Sequence, residues 1–314
     1  MDLSVILVSY NTADISLKAL EHLFASEHAL QMEVCIVDNA SRDDSVQRIS
    51  AAYPSIPLLK NTLNVGFGRA NNQALAHVTG RYVLLLNTDA FVEPDTLATT
   101  VAYMDQHPRC GILGAKLIGS DGELQPSCRY FPTPWNQFLL ESGLNRVFTG
   151  TRMVDDMDWD HGSVRQCDWV PGCFYLVRRE VINQVGLFDP RFFMYCEEVD
   201  HCHATRQAGW GITYFPTPVV HLGGESAKSD AVISTSGRQI KALQIESELL
   251  YYRKNFGLGG VASHALLTTV ANTLQAVKKA VRLAPADAIG SHLKHSWLTW
   301  KLFFSSRAGS QGSR

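Results

Sequence analysis

The chain has 314 residues, of which 46% are hydrophobic and 18% charged, and its net charge is −2. This composition excludes a disordered chain and allows one large domain with a hydrophobic core plus an appendage. Seven cysteines, an odd number with no Cys-x-x-Cys pair, argue against a disulfide framework or structural zinc and favour a reducing compartment. The N-terminus lacks the basic and apolar regions of a signal peptide, so we expect a cytoplasmic protein.

The first third of the chain alternates short apolar runs with helical patterns. The predicted strands are Leu3–Ser9, Glu33–Asp38, Ile56–Lys60 and Arg81–Leu86. The predicted helices include Ile15–Phe24, begin again near Ser41–Ser45, and span Gly66–His77. Such alternation, with almost continuously apolar strands, is typical of an α/β fold with a mostly parallel sheet covered by helices on both faces.

After about residue 114 the pattern changes. Aromatic residues, prolines and short strands dominate, as in Cys128–Trp135 and Trp169–Val177. Helices are predicted at Arg179–Val185 and Glu197–Gly209, and a strand at Tyr214–Val220. From about residue 239 the chain is predicted to be helical.

The C-terminal helices combine basic charge with apolar stripes. From residue 249 onward there are nine Lys or Arg residues and one acid, Asp287. Apolar side chains recur every three or four residues at Leu266, Val270, Leu274, Val277 and Val281, and again at Leu293, Trp297, Trp300 and Phe304. We expect amphipathic helices that contact an anionic membrane surface without spanning it. Packing on the rest of the chain or in a homodimer is the alternative, and the bulky apolar faces argue against nucleic acid.

Polar residues follow three of the predicted strands: Ser9-Tyr10-Asn11, Asp38-Asn39 and Asn87-Thr88-Asp89. In open α/β sheets, ligands bind beyond the carboxyl ends of the strands. The alternative for each is a helix cap or a turn. Asn87-Thr88-Asp89 offers oxygen ligands to Mg²⁺ or Mn²⁺, which proteins share with substrate phosphates.

Two glycine-containing segments are candidate phosphate or metal contacts. Asn64 and Gly66, with Arg69 and Asn72, lie where a loop enters a helix, a position that favours anions. An ordinary turn with a surface arginine is the alternative. His221, which precedes glycines after a predicted strand, is either a metal or phosphate contact or a structural histidine.

Three carboxylates, Glu197, Glu198 and Asp200, begin a predicted helix behind an aromatic cluster. Neighbouring acids beside apolar rings are candidates for raised pKa values and for general-base catalysis. The alternative is a charged first turn that the helix dipole stabilises.

Taken in chain order, the motifs resemble those of the inverting family 2 glycosyltransferases with a GT-A fold, and most closely those of the rhamnosyltransferase-like members. The resemblance covers about residues 1–226. It rests on VILVSYN (Val5–Asn11), VDNASRD (Val37–Asp43), NVGFGRANN (Asn64–Asn72), LLLNTDA (Leu84–Ala90), WVPGCFYLVRRE (Trp169–Glu180), GLFDPRFFMYCEEVDHCHATRQAGW (Gly186–Trp210) and HLGGES (His221–Ser226).

The resemblance implies a catalytic domain, which we place over 1–238, and the helical pattern that follows predicts an extension over 239–314. The nucleotide-sugar half would be about 1–113 and the acceptor half about 114–238. The donor would be a dTDP- or UDP-sugar, with rhamnose one candidate, and the acceptor a saccharide or a lipid-linked molecule. The protein would lie in the cytoplasm or peripherally on the cytoplasmic face of the inner membrane and act in surface polysaccharide synthesis.

The resemblance also implies residue roles. The donor would be bound by Ser9, Tyr10, Asn11, Asp38, Asn39, Asn64, Gly66, Arg69, Asn72, Asn87 and Thr88. Asp89 and His221 would hold the metal, with Asn87 replacing the first acid of the family's Asp-x-Asp. Trp169, Pro171 and Gly172 would shape the sugar and acceptor pocket. The family's Glu-Asp-x-Asp is Glu-Glu-Val-Asp here, so Glu198 is favoured as the base, followed by Glu197 and Asp200.

Two other functions remain open at this point. A nucleotidyltransferase also uses an α/β sheet and a metal-binding acid, but it usually has a basic glycine-rich loop near the N-terminus, which this chain lacks. A non-catalytic nucleotide-sugar-binding protein would be expected to lack the metal-binding acid and the acids that could serve as the catalytic base. Asp89, Glu197 and Glu198 are all present here.

Overall fold

The computed structural model describes residues 1–25, 30–223 and 238–312. Its strands are β1 (Leu3–Ser9), β2 (Met32–Asp38), β3 (Leu58–Lys60), β4 (Tyr82–Leu86), β5 (Ala90–Val92), β6 (Cys110–Ile118), β7 (Leu124–Gln125), β8 (Arg165–Gln166), β9 (Phe174–Arg178) and β10 (Gly211–His221). Its helices are α1 (Ala13–Ala25), α2 (Ser45–Ala52), α3 (Phe67–Leu75), α4 (Thr96–Gln106), α5 (Pro134–Ser142), α6 (Arg179–Val185), α7 (Glu197–Gln207), α8 (Arg238–Val281) and α9 (Ala286–Ser305).

The chain divides into two compact units that are interleaved in sequence. The sheet unit contains Met1–Arg129, Met157–Asp189 and the described part of Glu197–Gly237. The helical unit contains Tyr130–Asp156, Pro190–Cys196 and the chain from Arg238 onward. The boundary expected from the sequence lay at residue 238, and two earlier segments thus group with the C-terminal helices.

The central sheet is mixed, with the strand order β3-β2-β1-β4-β9-β6-β10-β5. The strands β3, β2, β1 and β4 are parallel, as the sequence predicts. β9 is antiparallel to both β4 and β6, whereas β10 is parallel to β6 and antiparallel to β5. The carboxyl ends of β1, β2, β4 and β10 therefore share one edge of the sheet with the amino end of β9. We call this the ligand edge.

Burial explains the strands of the parallel half. All five residues of β4 are buried, as are all but one of β1, so continuous apolar runs form these strands. Leu3, Val5 and Leu7 join Leu20 and Leu23 of α1 in one apolar cluster. Removing such side chains from water is the main stabilising contribution to a core of this kind.

The segment Cys128–Trp135 differs from its predicted extended structure. It contains an isolated bridge between Arg129 and Trp169, and α5 begins at Pro134. The side chain of Thr133 accepts a hydrogen bond from the backbone of Asn136, whose own side chain bonds back to Thr133. This capping box, with proline in the first turn, starts a helix where the aromatic composition suggested strand.

In the helical unit, α8 and α9 expose their apolar stripes. Val277 and Val281 of α8 and Trp297 and Phe304 of α9 are between 56% and 78% exposed. The first part of α8 buries large side chains such as Leu249, Tyr251 and Tyr252. From Val261 onward the buried positions are mostly small or polar, namely Val261, His264, Ala265, Thr268, Ala271, Asn272 and Ala276 on α8 and Ser296 and Thr299 on α9. No helix within the described residues combines the length and apolar character needed to cross a bilayer.

Candidate active site

Hydrogen bonds connect the turns after β1 and β2 at the ligand edge. The backbone N–H of Asn11 donates to Oγ of Ser41 (2.9 Å), and that of Arg42 donates to Oδ1 of Asn11 (2.7 Å). Asp38 accepts from the backbone N–H of Ser41 through Oδ1 (3.0 Å). Its Oδ2 is buried and has no hydrogen-bond partner among the described residues. An unsatisfied buried carboxylate oxygen is costly, so a ligand hydroxyl or N–H is the expected partner.

Asn39 connects the end of β2 to the loop before α3. Its side chain donates to Oδ1 of Asn64 (2.9 Å) and accepts from Nδ2 of Asn61 and the backbone N–H of Val65 (both 3.1 Å). Asn64 also accepts from the backbone N–H of Gly66 (2.9 Å), whose φ of 89° suits glycine. Asn39 and Asn64 therefore act mainly on the shape of this loop.

Two of the predicted donor-binding residues belong to a buried hydroxyl cluster. Oγ of Ser9 lies 3.2 Å from Oγ of Ser16, and Oγ1 of Thr12 lies 3.4 Å from Oγ1 of Thr88. All four residues are buried. Ser9 and Thr88 thus support the ligand edge from beneath, whereas Tyr10 beside them is half-buried.

Asn72 and Arg69 lie on α3, but their side chains differ in what they contact. The side chain of Asn72 donates to the backbone O of Phe188 (2.7 Å) and accepts from its N–H (3.1 Å). This pair of bonds ties α3 to the segment before α7 and engages both polar atoms of the amide. Arg69 is half-buried, and its guanidinium donates to the backbone O of Val65 (3.4 Å).

Strand pairing brings Asp89 and His221 together. Ala90 of β5 pairs with His221 of β10, and the N–H of Leu222 donates to the backbone O of Asp89 (3.0 Å). Nε2 of His221 lies 3.6 Å from Oδ1 of Asp89. Burial lowers the pKa of His221, and the Asp89 charge opposes this shift. The imidazole is therefore neutral near pH 7, the form that binds metals. The rest of the His221–Ser226 motif from Gly224 onward lies outside the described residues.

These two side chains fit an open divalent-cation site. A carboxylate oxygen and a neutral imidazole nitrogen are both ligands that Mn²⁺ accepts. No group of three or more His, Cys, Asp or Glu within the described chain forms a set that could hold a metal. A cation held here would therefore take further ligands from water or a bound diphosphate, as is usual for such sites.

The three acids of α7 differ in exposure. Glu197 and Asp200 are buried, whereas Glu198 is half-buried. Burial, followed by repulsion from Glu198, raises the pKa of Glu197 well above its usual range. Burial also raises the pKa of Glu198, and the Arg129 charge partly offsets this. Oε2 of each glutamate has no hydrogen-bond partner in the described part of the chain. A proton acceptor with a raised pKa and some exposure is suited to general-base catalysis.

The segment before β9 lies against Glu198. A Cβ atom on Gly172 would lie 3.6 Å from Cε1 of Phe67 and 4.0 Å from Cβ of Glu198. Trp169 is buried under the guanidinium of Arg129, 4.1 Å from its ring centroid, and Pro171 is half-buried.

The buried thiol of Cys173 lies near both Asp89 and Glu198. Burial raises the pKa of Cys173, and the charges of Asp89 and Glu198 both add to this increase. The backbone O of Cys173 also accepts from the N–H of Asn87 (3.0 Å). Asp89 and Glu198 therefore both lie near the amino end of β9, at the ligand edge.

Sequence reasoning did not assign roles to Phe67, Arg129 or Gln125. Phe67 stands inside a quoted motif, so its place in the helix-entry loop was an available signal. Arg129 and Gln125 belong to no motif, and only tertiary packing brings them to Glu198 and His221, respectively.

Comparisons with known proteins identify the family of the chain. The family model described as Glycosyl transferase family 2 matches residues 4–200. The chain is 29% identical over 220 residues to N-acetylglucosaminyl-diphospho-decaprenol L-rhamnosyltransferase of Mycobacterium tuberculosis (strain CDC 1551 / Oshkosh), a match that covers 63% of this chain and 69% of that protein. It is 28% identical over 225 residues to Rhamnosyltransferase WbbL of Escherichia coli (strain K12), over 68% of this chain and 80% of the relative.

A solved structure shares the fold. Mannosyltransferase PcManGT from Pyrobaculum calidifontis, in complex with GDP-Man and Mn²⁺, superposes with a TM-score of 0.55. The match covers 97% of this chain and 86% of that structure at 17% sequence identity. At this identity the likeness concerns the fold alone.

Proposed function

The chain belongs to glycosyl transferase family 2 and has the GT-A fold, and we propose that it is an inverting, metal-dependent transferase that moves a sugar from a nucleotide diphosphate. The observation that carries the proposal is that a cation-binding pair and a candidate base both lie near Cys173. The Asp89–His221 pair suits a cation, and the half-buried Glu198 suits a base.

The donor is proposed to be a dTDP- or UDP-sugar, and rhamnose is favoured because both relatives described above are rhamnosyltransferases. The unsatisfied Oδ2 of Asp38 supports binding of a ribose hydroxyl or a base N–H. Asn11 contributes from the neighbouring turn, and Arg69 lies at the entrance to α3, where it is suited to a diphosphate. Asn39, Asn64 and Asn72 support this pocket by shaping its loops.

The cation, Mg²⁺ or Mn²⁺, is proposed to be held by Asp89 and His221 with Asn87 beside them. When bound, it would supply positive charge that stabilises the departing diphosphate. Asp89 is buried, and the bond from Leu222 to its backbone O holds its main chain at the ligand edge.

Glu198 is proposed to remove the proton of the acceptor hydroxyl as that oxygen attacks the anomeric carbon. Greater exposure favours it over Glu197 and Asp200, which are buried. Its raised pKa makes it a stronger base than an exposed glutamate. Gly172, which lies between Glu198 and Phe67, and Phe67 itself are proposed to border the sugar and acceptor pocket, with Trp169 and Pro171 in the same segment.

The acceptor is proposed to be a saccharide or a lipid-linked molecule of surface polysaccharide synthesis. The name of the mycobacterial relative includes a diphospho-decaprenol, which is a lipid-linked group.

A non-catalytic binding protein would not need the unsatisfied base candidates Glu197 and Glu198.

The test is a donor panel assayed with Mn²⁺ or Mg²⁺. Wild type is expected to bind one nucleotide-sugar in a metal-dependent way and to turn it over. Asp89→Ala should lose that binding, and Glu198→Gln should bind the donor without turnover. Glu180→Gln, which changes an exposed acid of α6, is the matched control and should behave as wild type. Turnover that survives in Glu198→Gln would refute the base assignment, and absence of any donor binding in wild type would refute the proposed function.

We also propose that the helical unit binds an anionic membrane surface peripherally, close to a lipid-linked acceptor. Trp297 and Phe304 are 64% and 71% exposed, and Leu293 lies on the same face of α9. Lys294 and Lys301 on the same helix would face lipid phosphates, and residues 249–314 carry a single acid, Asp287. Apolar area and basic charge on one surface are the two contributions that drive interfacial binding.

Vesicle co-sedimentation tests this surface. The protein should sediment with phosphatidylglycerol vesicles more than with phosphatidylcholine vesicles, and less at high salt. Trp297→Ala should weaken binding, whereas Trp135→Ala, which removes an exposed tryptophan of α5, should not. Equal behaviour of the two variants would refute the proposal, and a dimer that Trp297→Ala dissociates would assign the face to a second copy.

A further inference from the structure

Gln125 contacts His221 through both ends of its amide group. Nε2 of Gln125 donates to the backbone O of His221 (2.9 Å), and Oε1 lies 2.7 Å from Nδ1 of the same histidine. Gln125 is the last residue of β7, which pairs with the end of β6. The glutamine therefore spans the main chain and the ring of one residue at the ligand edge.

This arrangement determines which ring nitrogen carries the proton. A backbone carbonyl only accepts hydrogen bonds, so it must face the NH₂ group of Gln125. The amide oxygen is then the atom that faces Nδ1, and an oxygen acceptor requires that Nδ1 donate its proton. In the neutral ring, Nε2 consequently carries the lone pair. That nitrogen is the one 3.6 Å from Oδ1 of Asp89.

We infer that Gln125 is a positioning residue that holds His221 in the Nδ1–H tautomer and so keeps Nε2 available to the cation. Without it, the carboxylate of Asp89 would favour the opposite tautomer, because Nε2–H would then donate to Oδ1. The proton on Nε2 would then take up the lone pair of that nitrogen, which the cation needs. The inference rests on the proposed function, since it concerns the same metal site.

The first readout is the tautomer of His221 in the metal-free protein at pH 8. Long-range ¹H–¹⁵N correlation spectra of protein with labelled histidine distinguish the two tautomers, and His221→Gln assigns the signals. Wild type should show Nδ1–H. Gln125→Leu should show Nε2–H, whereas Gln125→Glu, which keeps an acceptor facing Nδ1, should retain Nδ1–H. Wild type with Nε2–H, or Gln125→Leu with Nδ1–H, would overturn the inference.

The second readout is Mn²⁺ affinity, measured from the electron paramagnetic resonance signal of the free ion with UDP present. Gln125→Leu should weaken Mn²⁺ binding by about 10- to 100-fold, as expected for loss of a residue that orients a metal ligand. Gln125→Glu should stay much closer to wild type. Gln106→Leu, an exposed glutamine of α4, is the control. Equal affinity in Gln125→Leu and wild type would overturn the inference.

The two proposals fail in different ways. If wild type binds no Mn²⁺ with UDP or with dTDP, the metal site of the proposed function is refuted. The tautomer spectra are recorded without metal, so they decide the role of Gln125 toward His221 in either case. Circular dichroism of each variant shows whether it is folded, and the wild-type spectrum reports the tautomer of His221 with Gln125 in place.

Discussion

Replacement of Glu141 should stabilise the protein at neutral and alkaline pH. Glu141 lies on α5 in the helical unit, and its Oε2 is buried without a hydrogen-bond partner among the described residues. Burial, followed by the charge of Glu248, raises the pKa of Glu141 to about 7 from 4.5, whereas His264 and Thr268 lower it less. The ionised carboxylate therefore costs free energy in the folded state.

The magnitude and its pH dependence follow from the shift. Each pKa unit corresponds to about 1.4 kcal/mol, so a shift from 4.5 to about 7 corresponds to roughly 3 kcal/mol. Below pH 4.5 the carboxyl is protonated in both states and costs nothing. Between pH 4.5 and 7 only the unfolded chain ionises, so stability falls as the pH rises. Above pH 7 the full cost remains.

Glu141→Gln removes this ionisation and keeps an oxygen that accepts from Thr268. We expect the variant to be more stable than wild type by about 3 kcal/mol at pH 8 and nearly equal to it at pH 4. Urea unfolding at both pH values, followed by circular dichroism, measures the difference. Asp287→Asn, at an exposed acid of α9, is the control. A variant that is no more stable at pH 8 than at pH 4, relative to wild type, would refute the reasoning.

Three further predictions concern the sheet unit. Glu198→Gln should lower kcat by about 10²- to 10⁴-fold with little change in donor binding. The wild-type rate should fall as the pH falls through the raised pKa of Glu198, because only the ionised base accepts a proton. The pH–rate profiles of both proteins check these expectations. Gly114→Ala should lower stability by about 1–3 kcal/mol in urea unfolding, because its Cβ would lie 2.4 Å from Cβ of Val170. Asn72→Ala should cost about 1–3 kcal/mol by losing both bonds to Phe188, and a loss of donor affinity without a loss of stability would contradict this role.

For some residues the sequence pattern indicates the structural element but not the contacts of the side chain. The position of Asn72 beside the helix-entry loop is readable from the sequence, yet its amide bonds to Phe188, which is 116 residues later. Ser9 likewise follows a predicted strand, but its hydroxyl is buried against Ser16 rather than exposed at the edge. The local sequence pattern indicates which strand, loop or helix carries a side chain. Its partners depend on which distant segment packs there.

The C-terminal helices illustrate the same limit. The stripe that includes Val277 and Val281 was predicted from its spacing alone, and spacing does not distinguish a buried stripe from an exposed one. The structure leaves this stripe exposed, and the same part of α8 packs through small and polar residues such as Ala271 and Asn272. The direction in which an amphipathic helix faces depends on what its other face can pack against.

The sequence by itself determined the α/β class, the parallel strands β1 to β4 and the family, because apolar periodicity and ordered motifs are local properties of the chain. Only the tertiary structure decided the reversal of β9, the pairing of β5 with β10 that joins Asp89 to His221, and the contact of Gln125 with that histidine. These contacts join segments up to 132 residues apart, from Asp89 to His221. The physical reason is that no local preference encodes such pairings, which form when buried strands satisfy their backbone hydrogen bonds in one sheet.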